Sequence, residues 1–201
     1  MNVAIIDYGA GNVPSVERAL QKLGANPVRV NSAEELASAK VIVLPGVGHY
    51  AALIRALDER GLRAPLVDAI HHGKPFLGIC LGLQALYQAS EEAPNLLGLG
   101  IFSGKICALP GSVKLPHMGW NRLKIRRPSP LLDGLTENDY FYFAHTFAAS
   151  GMNGETLAVC DYGSEFGAVL ALDRICAVQF HPEKSGAAGS KLLGNFLRIA
   201  A

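Results

Sequence analysis

PFLGICLGLQ, residues 75–84, joins an apolar run, a cysteine between two glycines and a leucine-rich run end to end. That order implies a strand, a very tight turn and a helix, with Cys80 at the turn. A strand that bends sharply into a helix lifts the side chain at the bend clear of the sheet. It also leaves the first N–H groups of the helix without partners beside that side chain. Such groups favour negative charge, so they stabilise a thiolate at Cys80 and can hold a developing oxyanion. Gly78 and Gly82 leave out side chains that would collide at the bend. The pattern is the cysteine form of a nucleophile elbow. Five residues alone do not separate it from a buried cysteine in a glycine-rich turn.

Around the bend, the first 90 residues alternate short apolar runs with helical periodicity, as a doubly wound α/β domain does. Strands are expected at VAIID (3–7), NPVRV (26–30), KVIVL (40–44) and PFLGI (75–79). Val13, Val16, Leu20 and Leu23 recur at helical spacing, with Asn12 as the expected N-cap and Pro14 in the first turn. Helical periods also fill 50–60 and 64–72. The second half changes character. ICALP, RLKIR, YFYFA, TLAVC, FGAVLAL and ICAVQF are strand-like and are interrupted by Gly, Pro and Asn clusters. Antiparallel strands are therefore expected to extend a parallel sheet. Leu192, Leu193, Phe196, Leu197 and Ala200 form a last helical stripe that should pack on a sheet face.

The totals narrow the classes. With 201 residues the chain suits one domain, 1–201, with a core of its own. A charged fraction of 17% and a net charge of +1 give no basic surface for nucleic acid. The N-terminus, MNVAIIDYGAGN, has too short an apolar run before Asp7 for a secretory segment or a membrane span, so a soluble cytoplasmic protein is expected. Cys80, Cys107, Cys160 and Cys176 form no C-x-x-C pair and no zinc spacing, so no metal is expected. Cys107, Cys160 and Cys176 sit in apolar strand contexts and read as small hydrophobes in a reducing compartment.

A nucleophile needs a base, and the six histidines are His49, His71, His72, His117, His145 and His181. In ICAVQFHPEKS an apolar strand delivers His181 at its C-terminal end, where catalytic groups gather in open α/β sheets. Pro182 stops the strand. If the backbone stays extended, Glu183 points to the same side roughly 6.5 to 7 Å further on, at about 3.3 Å per residue. Cys80, His181 and Glu183 then become nucleophile, general base and orienting carboxylate. A solvent-exposed His beside a surface Glu is the plain alternative.

Gly78-Ile79-Cys80-Leu81-Gly82-Leu83-Gln84 together with Phe180-His181-Pro182-Glu183 resembles the class I glutamine amidotransferases. The resemblance implies a flavodoxin-like α/β/α fold with a mixed central sheet. It also implies hydrolysis of glutamine to glutamate and ammonia through a thioester on Cys80, with no cofactor. Gln84 matches a residue that helps bind the substrate. Leu44-Pro45-Gly46-Val47-Gly48 ends an expected strand, and its backbone is expected to supply an N–H, at Val47 or Gly48, that complements Leu81 N–H as an oxyanion hole. By resemblance this loop holds the amide turned away until a partner and its ligand bind. Gly46, Glu92, Thr146 and Phe147 fall where the family contacts substrate, with Glu91 an equal claimant beside Glu92. Phe147 departs from the hydroxylated aromatic usual at that position. GAGN at 9–12 is not a dinucleotide fingerprint, because Pro14 replaces its third glycine.

IDYGAGN, the Pro45–Gly48 loop, PHMGWN (116–121), YFYFAHTF (140–147) and HPEKS (181–185) are similar to the glutaminase subunits of imidazole glycerol phosphate synthase. That branch implies a heterodimer with a (β/α)8-barrel cyclase subunit that receives the ammonia for histidine biosynthesis. Met118 and Trp120 fit poorly in a water-facing loop and well at an interface. Asn12 and Lys184, polar residues beside the active-site motifs, are further expected partner contacts. A core tryptophan, a helix cap and a solvated lysine are the plain alternatives. PHMGWN and IDYGAGN argue against the glutaminases of pyridoxal phosphate and anthranilate synthesis. A stand-alone cysteine hydrolase and an inert binding module remain rivals.

Overall fold

Alternate residues of the N-terminal strands are apolar on both faces, so the sheet needs a covering layer on each side. The computed structural model describes residues 1–150 and 154–201. The chain runs β1 (Asn2–Ile6), α1 (Val13–Lys22), β2 (Asn26–Val30), α2 (Ala33–Ser38), β3 (Ile42–Gly46), α3 (Tyr50–Glu59), α4 (Arg63–His71), β4 (Phe76–Cys80) and α5 (Leu81–Ala85). It continues through β5 (Tyr87–Ser90), β6 (Phe102–Ala108), β7 (His117–Arg122), β8 (Lys124–Ile125), β9 (Tyr140–His145) and β10 (Phe147–Ala149). The last elements are β11 (Thr156–Asp161), β12 (Glu165–Leu172), β13 (Ile175–Val178) and α6 (Gly186–Ala200).

The parallel block has the order β2-β1-β3-β4-β13. This is the flavodoxin-like arrangement, with the chain reversing its direction of growth at β1. Antiparallel β12, β10 and β6 extend the block, and β5 closes it parallel to β6. The expected mixed sheet is therefore present. Val3, Ile5, Val43, Leu77 and Ile79 face α1 and α6 through Val16, Leu20, Leu192 and Phe196. Ala4, Ile6, Ile42, Leu44 and Phe76 face α3 and α4 through Leu53, Leu57, Leu66 and Ile70. Three layers result, with one apolar core on each face.

Several local expectations differ from the structure. The helix expected after Cys80 is present but only five residues long, and it gives way at once to β5. Its Leu81 and Leu83 are fully enclosed among strands and α3, so packing sets its length rather than an amphipathic stripe. Asn12 is left-handed at φ 53° and makes no side-chain cap on α1. Within PHMGWN, given no element from sequence, residues from His117 onward form β7, which pairs with β9 as a separate antiparallel ribbon. Among the described residues no helix is long and apolar enough to cross a membrane.

Candidate active site

β4 ends on Cys80 and α5 starts on Leu81, with no residue between them. The bend puts Cys80 at φ 52° and ψ −106°, a strained conformation for a residue with a side chain. Close backbone contacts hold it there. A Cβ on Gly82 would run into the carbonyl oxygen of Leu44, and one on Gly78 would lie 2.7 Å from that of Gly82. Gly46 has the same task. Its added Cβ would sit 2.5 Å from Leu81 Cβ, and the neighbouring Val47 and Gly48 border the cavity.

Cys80, Val47 and His181 follow three adjacent parallel strands, β4, β3 and β13, at their carboxyl ends. They line one cavity of about 230 Å³ with Gly48, Leu81, Gln84, Glu92, Thr146, Phe147 and Lys184. That is below the roughly 300–1,000 Å³ of pockets for drug-sized ligands and suits a smaller molecule. Pro182–Lys184 is a 3-10 turn, not the extended segment expected. The turn curls Glu183 back, so its Oε1 meets His181 Nδ1 at 3.0 Å. Asn12 Nδ2 donates to the same oxygen at 2.9 Å. The amide expected to cap α1 thus fixes the carboxylate instead.

With Nδ1 turned to Glu183, His181 shares the cavity with Cys80 and feels its sulfur as well as the carboxylate. Burial pushes this imidazole down, but the sulfur and the Glu183 carboxylate together outweigh burial and raise it to about 10. Burial likewise pushes Glu183 up. Its hydrogen bond to His181 wins, and the carboxyl lies below the usual carboxylate range. The arrangement therefore favours the protonated imidazole of His181 beside the sulfur. By contrast, burial pushes the Cys160 and Cys176 thiols up to about 12.

The remaining histidines are committed elsewhere. His49 caps α3 by accepting from Ala51 N–H, and His71 and His72 lie at the end of α4. His145 also borders the cavity, yet both its ring nitrogens are engaged: Nδ1 with Phe147 O at 3.0 Å and Nε2 with His117 Nδ1 at 3.1 Å. It has no nitrogen left for the thiol. Burial pushes His117 down to about 4, and burial with the neighbouring His117 pushes His145 down to about 3.

These two values give a signed prediction. Both folded values lie below the unfolded ~6.5, so between them the unfolded chain binds more protons and stability falls as pH drops. The raised His181 offsets about a third of this loss, because folded His181 is already protonated while the unfolded imidazole still takes up its proton through ~6.5. We expect urea unfolding to show a loss on the order of 2 kcal/mol between about pH 7 and pH 5.5. A flat profile across that window would contradict a neutral buried pair.

The rest of the cavity sorts the other expected residues. Glu92 accepts from Tyr50 N–H at 2.7 Å and borders the cavity, whereas Glu91 is taken up by Lys105 Nζ at 2.8 Å and Ala108 N–H at 3.0 Å. Of the two, Glu92 is the one at the cavity. Gln84 Nε2 donates to Phe147 O at 2.7 Å and to Gln179 Oε1 at 3.2 Å, so only its amide oxygen is left for a ligand. Val47 N–H is not open to the cavity: it donates to the Tyr8 hydroxyl at 3.3 Å. Met118 and Trp120 stand on the outer face of β7, 65% and 56% exposed, so a core tryptophan is excluded. Lys184 is exposed and lies over the Tyr142 ring at 5.6 Å.

The family model of class-I glutamine amidotransferases matches residues 4–200. The chain belongs to that family. A relative of this class-I amidotransferase from Desulfitobacterium hafniense, imidazole glycerol phosphate synthase subunit HisH, is 47% identical over 195 residues, covering 96% of this chain and 92% of its own. The subunit of the same name from Aquifex aeolicus is 45% identical over 202 residues, covering 100% and 98%. A crystal structure of a glutamine amidotransferase superposes with TM-score 0.79 at 19% identity, covering 98% of each chain. The PurLQS structure from Thermotoga maritima reaches 0.78 at 20% identity, covering 98% of this chain and 97% of its own.

In this amidotransferase the sequence reading missed Tyr8, His117, His145 and Gln179 as members of the site. Tyr8 and His117 lay inside motifs already singled out, IDYGAGN and PHMGWN. Strand alternation in HMGWN, with Met118 and Trp120 on one face and His117 and Asn121 on the other, was the available signal.

Proposed function

We propose that residues 1–201 act as one glutaminase domain that hydrolyses glutamine and hands the ammonia to a cyclase subunit, as in imidazole glycerol phosphate synthase. The observation that carries this is the union of Cys80, His181 and Glu183 around one small cavity. The near full-length similarity to HisH subunits supports the choice of branch.

The Cys80 thiolate attacks the carboxamide carbon. The tetrahedral oxyanion is held by Leu81 N–H and by an amide of the Val47–Gly48 loop. When the carbon–nitrogen bond breaks, His181 gives its proton to the departing ammonia. Neutral His181 then takes a proton from water, the hydroxide adds to the thioester, and glutamate leaves as the thiolate re-forms. Glu183, held by Asn12, keeps the imidazole in register throughout. Glu92, Thr146, Phe147 and the Gln84 oxygen bind the amino-acid end of the substrate. Met118, which borders the cavity, and Trp120 dock the cyclase, so that released ammonia enters the partner rather than water.

The Tyr8 hydroxyl keeps the Val47 amide out of the oxyanion hole in the isolated chain. That hydroxyl accepts from Val47 N–H at 3.3 Å and donates weakly to Val47 O at 3.5 Å, and losing the two together shifts such a balance by about 0.5–1.5 kcal/mol. Tyr8→Phe is therefore expected to raise glutamine turnover of the isolated chain by up to about tenfold, read as ammonia release. No rise, or a fall, in a folded variant would remove Tyr8 from this role.

The reading as a whole is tested by mixing the purified chain with a candidate cyclase and its ligand. Glutamine-derived ammonia should be low for the chain alone and should rise sharply in the mixture. Full activity alone would oppose gating, and cleavage of peptides in place of glutamine would replace this function by that of a stand-alone hydrolase.

A further inference from the structure

Gln179 is completely buried between β13 and His181, and the reaction outlined above gives it no task. Its Nε2 lies 3.6 Å from Cys80 Sγ and its Oε1 accepts from Gln84 Nε2 at 3.2 Å. The oxygen and nitrogen of a side-chain amide are nearly the same in size and shape, so its neighbours must decide the orientation. Gln84 Nε2 also donates to Phe147 O at 2.7 Å, and a backbone carbonyl only accepts. Gln84 must therefore present its NH2 group to Gln179. In turn, Gln179 must present oxygen to Gln84 and N–H to the sulfur.

The Phe147 carbonyl is fixed from its other side as well. It takes the proton of His145 Nδ1 at 3.0 Å, which leaves His145 Nε2 to accept from His117 Nδ1 at 3.1 Å. His117 Nε2 then accepts from Asn121 Nδ2 at 3.3 Å. Asn121 is oriented independently, because its Oδ1 accepts from Arg122 N–H at 2.8 Å and its Nδ2 donates to Asp161 O at 3.1 Å. Both ends demand the same tautomers. With neutral rings, the whole network from β7 to Cys80 has a single proton arrangement, and it ends with an N–H aimed at sulfur.

We propose that Gln179 is a catalytic residue of the glutaminase reaction, whose amide N–H stabilises the Cys80 thiolate, with Gln84 and the clamped Phe147 carbonyl as positioning groups. The inference rests on the reading of Cys80 as the nucleophile. A neutral donor suits this place, since a cation there would repel the His181 imidazolium. Its proton also never transfers. His181 gives its proton away during the reaction, whereas the Gln179 N–H is present both when the thiolate attacks and when it leaves the thioester.

The experiment measures how the rate at which iodoacetamide alkylates Cys80 in the intact chain depends on pH, followed by mass spectrometry of the Cys80 peptide. The midpoint of that profile reports how readily the sulfur ionises, whereas a single rate mixes the thiolate fraction with a nucleophilicity that rises when a donor is lost. Gln179→Met keeps the length and removes the donor, and a hydrogen bond to a charged group is worth enough to move the midpoint up by about one pH unit or more. Gln179→Glu replaces the donor by an acceptor and is expected to move it further. Gln84→Met, which frees the Gln179 amide to turn, should give a smaller upward shift and serves if the Gln179 variants do not fold. An unchanged midpoint in folded Gln179→Met, or in folded Gln84→Met when the former is lost, overturns the inference. Alkylation requires no glutamine, so a raised midpoint in a chain that does not hydrolyse glutamine even with its cyclase would sink the proposed function and leave the contact of Gln179 with the sulfur standing.

Discussion

Cys80→Ala is expected to abolish glutamine-dependent synthesis by the complex with cyclase, by a factor on the order of 10⁴ or more, while synthesis from added ammonia survives. The size follows from the absence of a substitute. His145 borders the cavity with both nitrogens engaged, and Cys160 and Cys176 are buried in the strands with thiols held protonated by burial. Alanine tolerates the left-handed φ of 52° no worse than cysteine, so the elbow and the proposed docking face persist. Cys80→Ser sharpens the result. A hydroxyl keeps the geometry but is far less readily ionised, so glutamine turnover should fall nearly as far. Loss of the ammonia-dependent reaction in a correctly assembled complex would refute the division of labour, and retention of the glutamine-dependent one would refute Cys80 as the nucleophile.

The elbow and the His-x-Glu pair were legible because each is local: glycines on either side of Cys80 announce a bend, and a strand that ends at a proline announces where His181 sits. Even there the reading erred in detail. Extended backbone was expected to bring Glu183 to His181, and a 3-10 turn does so. Asn12 was misread for a related reason. Its position before a helix made a cap the natural expectation, but Glu183, distant in sequence, offers its amide a buried charged acceptor, and a hydrogen bond to charge outweighs a cap. The buried polar network was the least legible. Gln179, Gln84, His145 and His117 come from four separate segments, and nothing in the pattern of one segment says which buried amide will face which ring.

Gly82→Ala carries the largest expected effect on stability. The added methyl would meet the Leu44 carbonyl, and that carbonyl cannot retreat: Leu44 lies in β3, paired with Gly78 of β4 within the parallel block. Nor can α5 move outward, because Leu81 and Leu83 are enclosed by the core on that side. With neither backbone free to yield, the cost should exceed the usual range for a single substitution, at more than about 4 kcal/mol. Gly48→Ala provides the contrast. Its φ of 94° is strained for alanine, but a Cβ there meets nothing within 4 Å, so the cost should stay at about 1–3 kcal/mol. Denaturant unfolding of the two variants separates collision from strain. If Gly82→Ala were as stable as the parent, the contact between β3 and the elbow could not be what holds Cys80 in its strained conformation, and the reactive sulfur would owe its position to the α5 core contacts alone.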